Sequence, residues 1–346
     1  MVNMVETSVN NVKQEFMSNQ EKQAKKKEKI KTNYDNLIKK NGHEVSSWIW
    51  NSPESLDGDK ISELLDFADN ENISTIYLNI SDYIDIDEMK DDENKINKLN
   101  KFKGSLKLFL SVAHQKNMKV HALGGDSEWA LSSHHYIPLK LLDFVISFNK
   151  ENEDNLRFDG IQFDIEPHNL KDFNVNKKVI LNDYLDLCNS LSQNIIETLS
   201  NNEIFKDFQM GFVVPYWFDN ENGNCPPVVW QEKEAKLVVF TLLDVLNRVK
   251  NGYLVVLSYR NVADGKDGSI IHAKTEIDYA QDSAKNVSVI IGQETTKVEP
   301  SKITFYGEER MGFKEEVLKI FDFFKDKEVF RGIGIHDIYG YKDFKE

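Results

Sequence analysis

The chain has 346 residues, of which 40% are hydrophobic and 11% aromatic, and it carries a formal net charge of -14. That is enough for one large α/β barrel or two ordinary domains with a sizeable core. The negative balance excludes phosphate-backbone binding as a main role, because nucleic acid demands a clustered basic surface, and a neutral or cationic partner suits the chain better.

Two cysteines, Cys188 and Cys225, stand outside any CxxC spacing and are expected as free thiols rather than a disulfide framework. No run reaches the roughly eighteen apolar residues that a membrane span needs. The N-terminus lacks the apolar core of a signal peptide. The location is therefore left open between export with a signal removed and retention inside. Residues 21–31 (EKQAKKKEKIK) hold six lysines against two glutamates. This run reads as a solvated helix or arm, and residues 1–43 are taken as a charged N-terminal extension.

From residue 44 onward, short runs rich in β-branched and aromatic residues alternate with segments of helical period, the pattern of βα units on a parallel sheet. The apolar runs are 46–50 (SSWIW), 73–80 (ISTIYLNI), 118–126 (MKVHALGGD), 158–166 (FDGIQFDIE), 208–217 (FQMGFVVPYW), 252–260 (GYLVVLSYR), 287–295 (VSVIIGQET) and 330–338 (FRGIGIHDI). Segments 59–72, 184–201 and 311–327 between them place apolar residues three and four apart, as outer helices do. Eight such units predict a single (β/α)8 barrel over residues 44–346. An open doubly wound sheet is disfavoured because no glycine-rich phosphate loop follows the first strand.

In such a barrel chemistry gathers at the C-terminal ends of the strands. Those ends are polar or aromatic here: Trp48 and Trp50, Asn79, Asp126 with Trp129, Asp164 and Glu166 with His168, Tyr216 and Trp217, Tyr259 and Arg260, Glu294, then His336 and Asp337 with Tyr339. Acids and aromatics on one rim suit a carbohydrate, whose C–H faces stack on indoles while its hydroxyls bond to carboxylates. Along 158–166, Ile161, Phe163 and Ile165 share one strand face and Gln162, Asp164 and Glu166 the other. Two carboxylates at i and i+2 lie about 6 to 7 Å apart at their Cα atoms. In a partly dry pocket their proton affinities separate, so that one stays ionised and the other holds a proton. A protonated Glu166 could give its proton to a glycosidic oxygen, with Asp164 assisting.

The stretch DGIQFDIE (159–166) resembles the DGxDxDxE strand of the family 18 glycoside hydrolases, the chitinase and endo-N-acetylglucosaminidase group. It also falls on the fourth strand, as it does there. Asp159, Gly160, Asp164 and Glu166 agree, and Gln162 stands where the family has the first acid of its DxDxE core. LSYR (257–260) is similar to the sixth-strand Met-x-Tyr element, with Tyr259 at the tyrosine. The resemblance implies an acid role for Glu166, a partnering role for Asp164, a polarising hydroxyl from Tyr259, and a nucleophile supplied by the substrate's own 2-acetamido oxygen. The family closes its sugar pocket with a tryptophan on the eighth strand, where this chain offers only His336 or Tyr339.

Three other readings stay open. Glu294 at the end of the seventh strand would make a two-glutamate retaining glycosidase, with Glu166 as acid/base and Glu294 as nucleophile. Asp126, Asp164, Glu166, His168, Glu294, His336 and Asp337 could serve a metal-dependent hydrolase, although neither HxH nor HExxH is present. With Gln162 in place of an acid, the barrel could bind glycan without cleaving it. The expectation carried forward is a monomeric glycosidase with a carbohydrate substrate, no cofactor and no metal. Trp50, Asn79, Asp126, Trp129, Gln162, His168, Tyr216, Trp217, Arg260, His336, Asp337 and Tyr339 are its candidate sugar contacts.

Overall fold

In a computed structural model, which describes residues 21–38, 42–220, 225–231 and 233–345, eight parallel strands close into one barrel in chain order. They are β1 (Glu44–Ile49), β2 (Thr75–Asn79), β3 (Lys119–Gly124), β4 (Gly160–Phe163), β5 (Gln209–Pro215), β6 (Gly252–Leu257), β7 (Ser288–Glu294) and β8 (Phe330–His336). Closure is made by β1 against β8, with Ser46 opposite Gly334. The (β/α)8 expectation is therefore met, each strand lying within or beside the run that predicts it.

Helical elements connect successive strands on the outside. The principal helices around the sheet are α2 (Gly58–Asn70), α4 (Asp92–Gln115), α5 (Tyr136–Glu151), α6 (Phe173–Asn201), α7 (Val238–Leu246), α8 (Ser269–Ser283) and α9 (Arg310–Phe324). Two short helices, α3 (Asp82–Asp87) and α10 (Ile338–Lys342), follow β2 and β8. Local chemistry sets some boundaries: Asp57 accepts from the backbone N–H of Lys60 at 2.9 Å and Asp91 from that of Asn94 at 3.1 Å, side-chain caps that satisfy otherwise orphaned helix donors. No helix among the described residues is long and apolar enough to cross a membrane. Both cysteines are buried and free.

Strand alternation splits the apolar residues into two cores. Residues such as Val45, Ile161, Phe163, Val214 and Val256 face the helices, while Trp48, Tyr77, Leu123, Val213, Tyr253, Val255 and Ile290 fill the lumen. The lumen is also polar in part. At its N-terminal end Arg331 bonds Glu44 at 2.5 and 2.9 Å and Gln209 at 2.6 Å. Higher up, Trp48 donates its indole N–H to Gln162 at 2.7 Å, and the Tyr253 hydroxyl meets His121 Nδ1 at 2.8 Å. Satisfied pairs of this kind fix which residues stack where, since a lone buried polar group is costly.

Residues 21–38 form a further helix, α1, laid on the outside of the barrel. Its Ile30, Tyr34 and Ile38, spaced four apart, are buried, and Lys26 and Lys27 pair with Glu315 and Glu309 beside α9. The Tyr34 ring has the Lys314 ammonium 5.0 Å from its centre, while its hydroxyl has no hydrogen-bond partner among the described residues. Tyr34→Ala is therefore expected to cost about 3–5 kcal/mol of unfolding free energy, as other buried rings do. Tyr34→Phe should cost nothing or stabilise slightly. Urea denaturation of the two variants measures both, and equal losses would contradict the packing described.

Candidate functional site

Asp164 and Glu166 continue the lumen face of β4 beyond its last ladder residue, Phe163, while Ile165 between them turns into the outer core. β3 sets their position. The Asp164 N–H donates to the Gly124 carbonyl at 3.0 Å, and the next residue, Gly125, passes so close that a Cβ there would stand 2.0 Å from the Asp164 carbonyl oxygen. Only glycine lets the two strand ends approach in this way.

The carboxylates open into a pocket of ≈ 330 Å³ at the C-terminal mouth. Its walls are Asp164, Glu166 and Asn169 from β4 and the turn after it, Gly125, Asp126 and Ser127 after β3, Leu257 and Tyr259 from β6 and just beyond, Trp50 just after β1, and His336 at the end of β8. In a closed eight-stranded ring β4 and β8 are diametrically opposed, so the acids face the Trp50–His336 side across the opening.

Burial drives the Asp164 carboxyl up to about 7, with the Glu166 charge adding to the rise and His336 opposing it. Its Oδ1 atom is buried without a partner among the described residues. Glu166 accepts from the Asn169 amide at 3.0 Å and lies 3.7 Å from His168 Nε2, and its side chain is 30% exposed. Burial lowers the His168 imidazole, against the pull of Glu166. The Tyr259 phenol is held well above its ordinary value, first by burial and then by Glu294 and the acids of the mouth, so it remains a neutral hydrogen-bond donor.

Glu294 is engaged elsewhere. One oxygen takes the Thr296 N–H at 2.6 Å and its hydroxyl at 2.7 Å, and the other meets His336 Nδ1 at 2.8 Å. Burial alone would raise this carboxyl, but His336 and Thr296 outweigh it and leave it below the usual value. The side chain is only 4% exposed and does not line the pocket. For His336 burial lowers the ring's proton affinity, yet Glu294 and then Asp337 and Asp164 raise it overall.

Several residues expected at the mouth lie elsewhere. Trp129 is buried in the outer core, where a Cβ on Gly124 would touch its ring. Trp217 packs edge-on against His168 at 5.1 Å and against Phe218. Neither lines the pocket whose wall includes Trp50 and Tyr259. Gln162 is fully buried below Asp164, tied to Trp48 and Tyr253, and cannot touch a ligand in the pocket.

Other expected contacts serve as supports. Asn79 donates to the Trp50 carbonyl at 3.0 Å, and Asp337 accepts from Gly340 N–H at 2.9 Å as the cap of α10. Arg260 pairs with Asp267 at 2.7 Å and donates to the Tyr216 hydroxyl at 3.1 Å, while Tyr339 rests on the outer core. Asp126 lines the pocket but also caps the following turn by accepting from Glu128 N–H at 2.7 Å. Among the described residues no three His, Cys, Asp or Glu side chains converge as a metal ion would require. Sequence reasoning missed Gly125, Ser127, Asn169 and Leu257. Of these only Gly125, in a double glycine at a strand end, carried a signal that could have been read.

Compared by sequence, the chain matches no family profile and no curated protein. Compared by structure, it is similar to a GH18 chitinase from Pseudoalteromonas aurantia, with 15% identity, a TM-score of 0.50, and coverage of 85% of this chain and 93% of that one. It is also similar to the exo-beta-1,4-mannosidase Op5Man5 from Opitutaceae bacterium strain TAV5, with 10% identity, a TM-score of 0.52, and coverage of 85% of this chain and 52% of that one, about half its length. Likeness at these identities is likeness of fold: the chain shares the eight-stranded barrel on which both enzymes are built.

Proposed function

We propose that this protein is a retaining glycoside hydrolase in which Glu166 protonates the leaving oxygen and Asp164 assists. The observation that carries the reading is the pair itself: two carboxyls on the lumen face of β4, both lining one pocket, with Asp164 pushed up to about 7 by burial and by its neighbour's charge. Such a pair keeps one proton between its members up to near-neutral pH, which is the stock from which a general acid draws. Glu166, the more exposed member and the one further along the strand toward the opening, is the one placed to hand a proton to a seated sugar. Glu166 then gives it to the glycosidic oxygen as the C–O bond breaks and its electron pair stays on the departing oxygen.

The positive charge left at the anomeric carbon is met by the substrate's 2-acetamido oxygen, as the resemblance to family 18 implies, with ionised Asp164 stabilising the cationic ring so formed and Tyr259 donating its hydroxyl nearby. Water then opens that ring, giving its proton back to Glu166. The two-glutamate alternative is disfavoured because both Glu294 oxygens are already occupied by Thr296 and His336 and the side chain lies outside the pocket. The likeness in fold to a chitinase and a mannosidase supports a glycosidase reading without choosing the sugar.

Glu166→Gln should lower hydrolysis of a soluble β-1,4-linked N-acetylglucosamine oligomer by at least about a hundredfold, the usual contribution of a general acid, while binding survives. Asp164→Asn should cost more in kcat than Glu294→Gln. Undiminished turnover in Glu166→Gln would refute the assignment, and wild-type protein that binds the oligomer without cleaving it would refute hydrolysis altogether.

The raised Asp164 carboxyl also bears on stability. Because the folded state holds this proton more tightly than the unfolded chain, the stabilisation is complete below the unfolded value near 4 and is lost as pH rises through about 7. Asp164→Asn, which cannot ionise, should therefore melt a few degrees above wild type at pH 8 and show little advantage at pH 4, since in a chain of this size about 1 kcal/mol moves Tm by roughly 2 °C. A Tm difference that does not change with pH would contradict the raised value.

A further inference from the structure

We infer that Glu294 and His336 are positioning residues that lock the Trp50 indole as the pocket wall opposite the acid pair. The inference rests on reading the pocket as a sugar site and adds how its aromatic wall is built. Trp50 donates its indole N–H to His336 Nε2 at 2.9 Å. An indole nitrogen can only donate, so Nε2 must present its lone pair and the ring proton must sit on Nδ1. Nδ1 then donates to Glu294 Oε2 at 2.8 Å, while the other Glu294 oxygen is pinned by the Thr296 N–H and hydroxyl. Donation thus passes from Trp50 through His336 into Glu294, which also accepts from Thr296 on its other oxygen, and each member fixes the hydrogen-bonding role of its neighbour.

The rest of the Trp50 residue is fixed too, because Asn79 bonds its carbonyl at 3.0 Å. Only the indole's rotation remains free, and the acceptor on His336 sets it. The indole, set at 67° to the His336 ring, lines the pocket, and pre-ordering it removes part of the entropy otherwise lost when a sugar stacks. This assigns a use to two departures from the family 18 pattern: the absence of an eighth-strand tryptophan, and an acid at the end of β7 that takes no part in bond breaking.

Acid should release the lock, because a proton on Nε2 replaces the acceptor with a donor. The groups that face this ring are Glu294 from β7, Asp337 and Asp164 by charge, and the rings of Trp48, Trp50 and Tyr259 at 5.7, 5.9 and 6.0 Å.

The test uses full-length protein with 15N-labelled tryptophan, in which the Trp50 indole N–H resonance is identified by its loss in Trp50→Phe. His336→Leu should shift that resonance and weaken binding of the N-acetylglucosamine oligomer about tenfold, with the cost falling mainly on KM. His336→Gln, which restores an acceptor, should recover much of both. Glu294→Ala should act in the same direction as His336→Leu. Trp50→Phe combined with His336→Leu should be no worse than the poorer single variant, since residues that act through one another do not add. In wild type the resonance should move as His336 takes up its proton on acidification. A Trp50 resonance indifferent to His336, or losses that add, would overturn the inference even if hydrolysis by Glu166 stands. Absence of turnover with the resonance and binding behaving as described would instead count against the hydrolase reading alone.

Discussion

The site depends on a steric fact about closed barrels: every second residue of every strand points into a lumen too narrow to hold anything but side chains. On β4 that face reads Gln162, Asp164, Glu166 from the middle of the barrel to its mouth. Gln162 is absorbed by Trp48 and Tyr253 below. The two acids above have a packed floor beneath them and open solvent only on one side. Burial, and after it the charge of Glu166, keeps a proton on Asp164 at a pH where isolated carboxyls have lost theirs. The rest of the mouth is arranged around that proton: Gly125 lets β3 close on Asp164, Asn169 holds Glu166, and Tyr259 stays neutral because burial, and after it the nearby acids, disfavour its ionised form.

Gln162 shows how a departure from a motif can be structural. An acid at that depth would need a proton or a cation beside it. The amide instead accepts from Trp48 and donates toward Tyr253, completing a neutral network that fills the lumen. The proton economy of the site therefore reduces to two carboxyls. Glu294 and His336, which a list of strand-end acids and bases would also place in the chemistry, are joined to each other and to Trp50.

The barrel was legible in the chain because its signal is repeated: eight β-branched runs separated by helical periods leave few alternatives, and the faces of β4 follow from alternation alone. The acid pair was legible for the same reason. What lay beyond the last ladder residue of each strand was not, because there the period of two ends and turn geometry takes over. Trp129 and Trp217 sit in short 3-10 turns, which bury the Trp129 ring in the outer core and set Trp217 against His168 outside the pocket. Asn169, three residues past Glu166, comes back over the pocket through such a turn. Contacts set by loops, such as Arg260 with Asp267, leave no periodic trace.

The claim on which the account turns is that Asp164, beside Glu166, keeps its proton at near-neutral pH. A carboxyl-carbon NMR titration of 13C-labelled protein reads it without any assumption about the sugar. The account predicts a resonance that titrates near pH 7, is missing in Asp164→Asn, and moves to lower pH in Glu166→Gln, where the neighbouring charge is gone. An Asp164 carboxyl that has lost its proton by about pH 5, as ordinary carboxyls do, would contradict it.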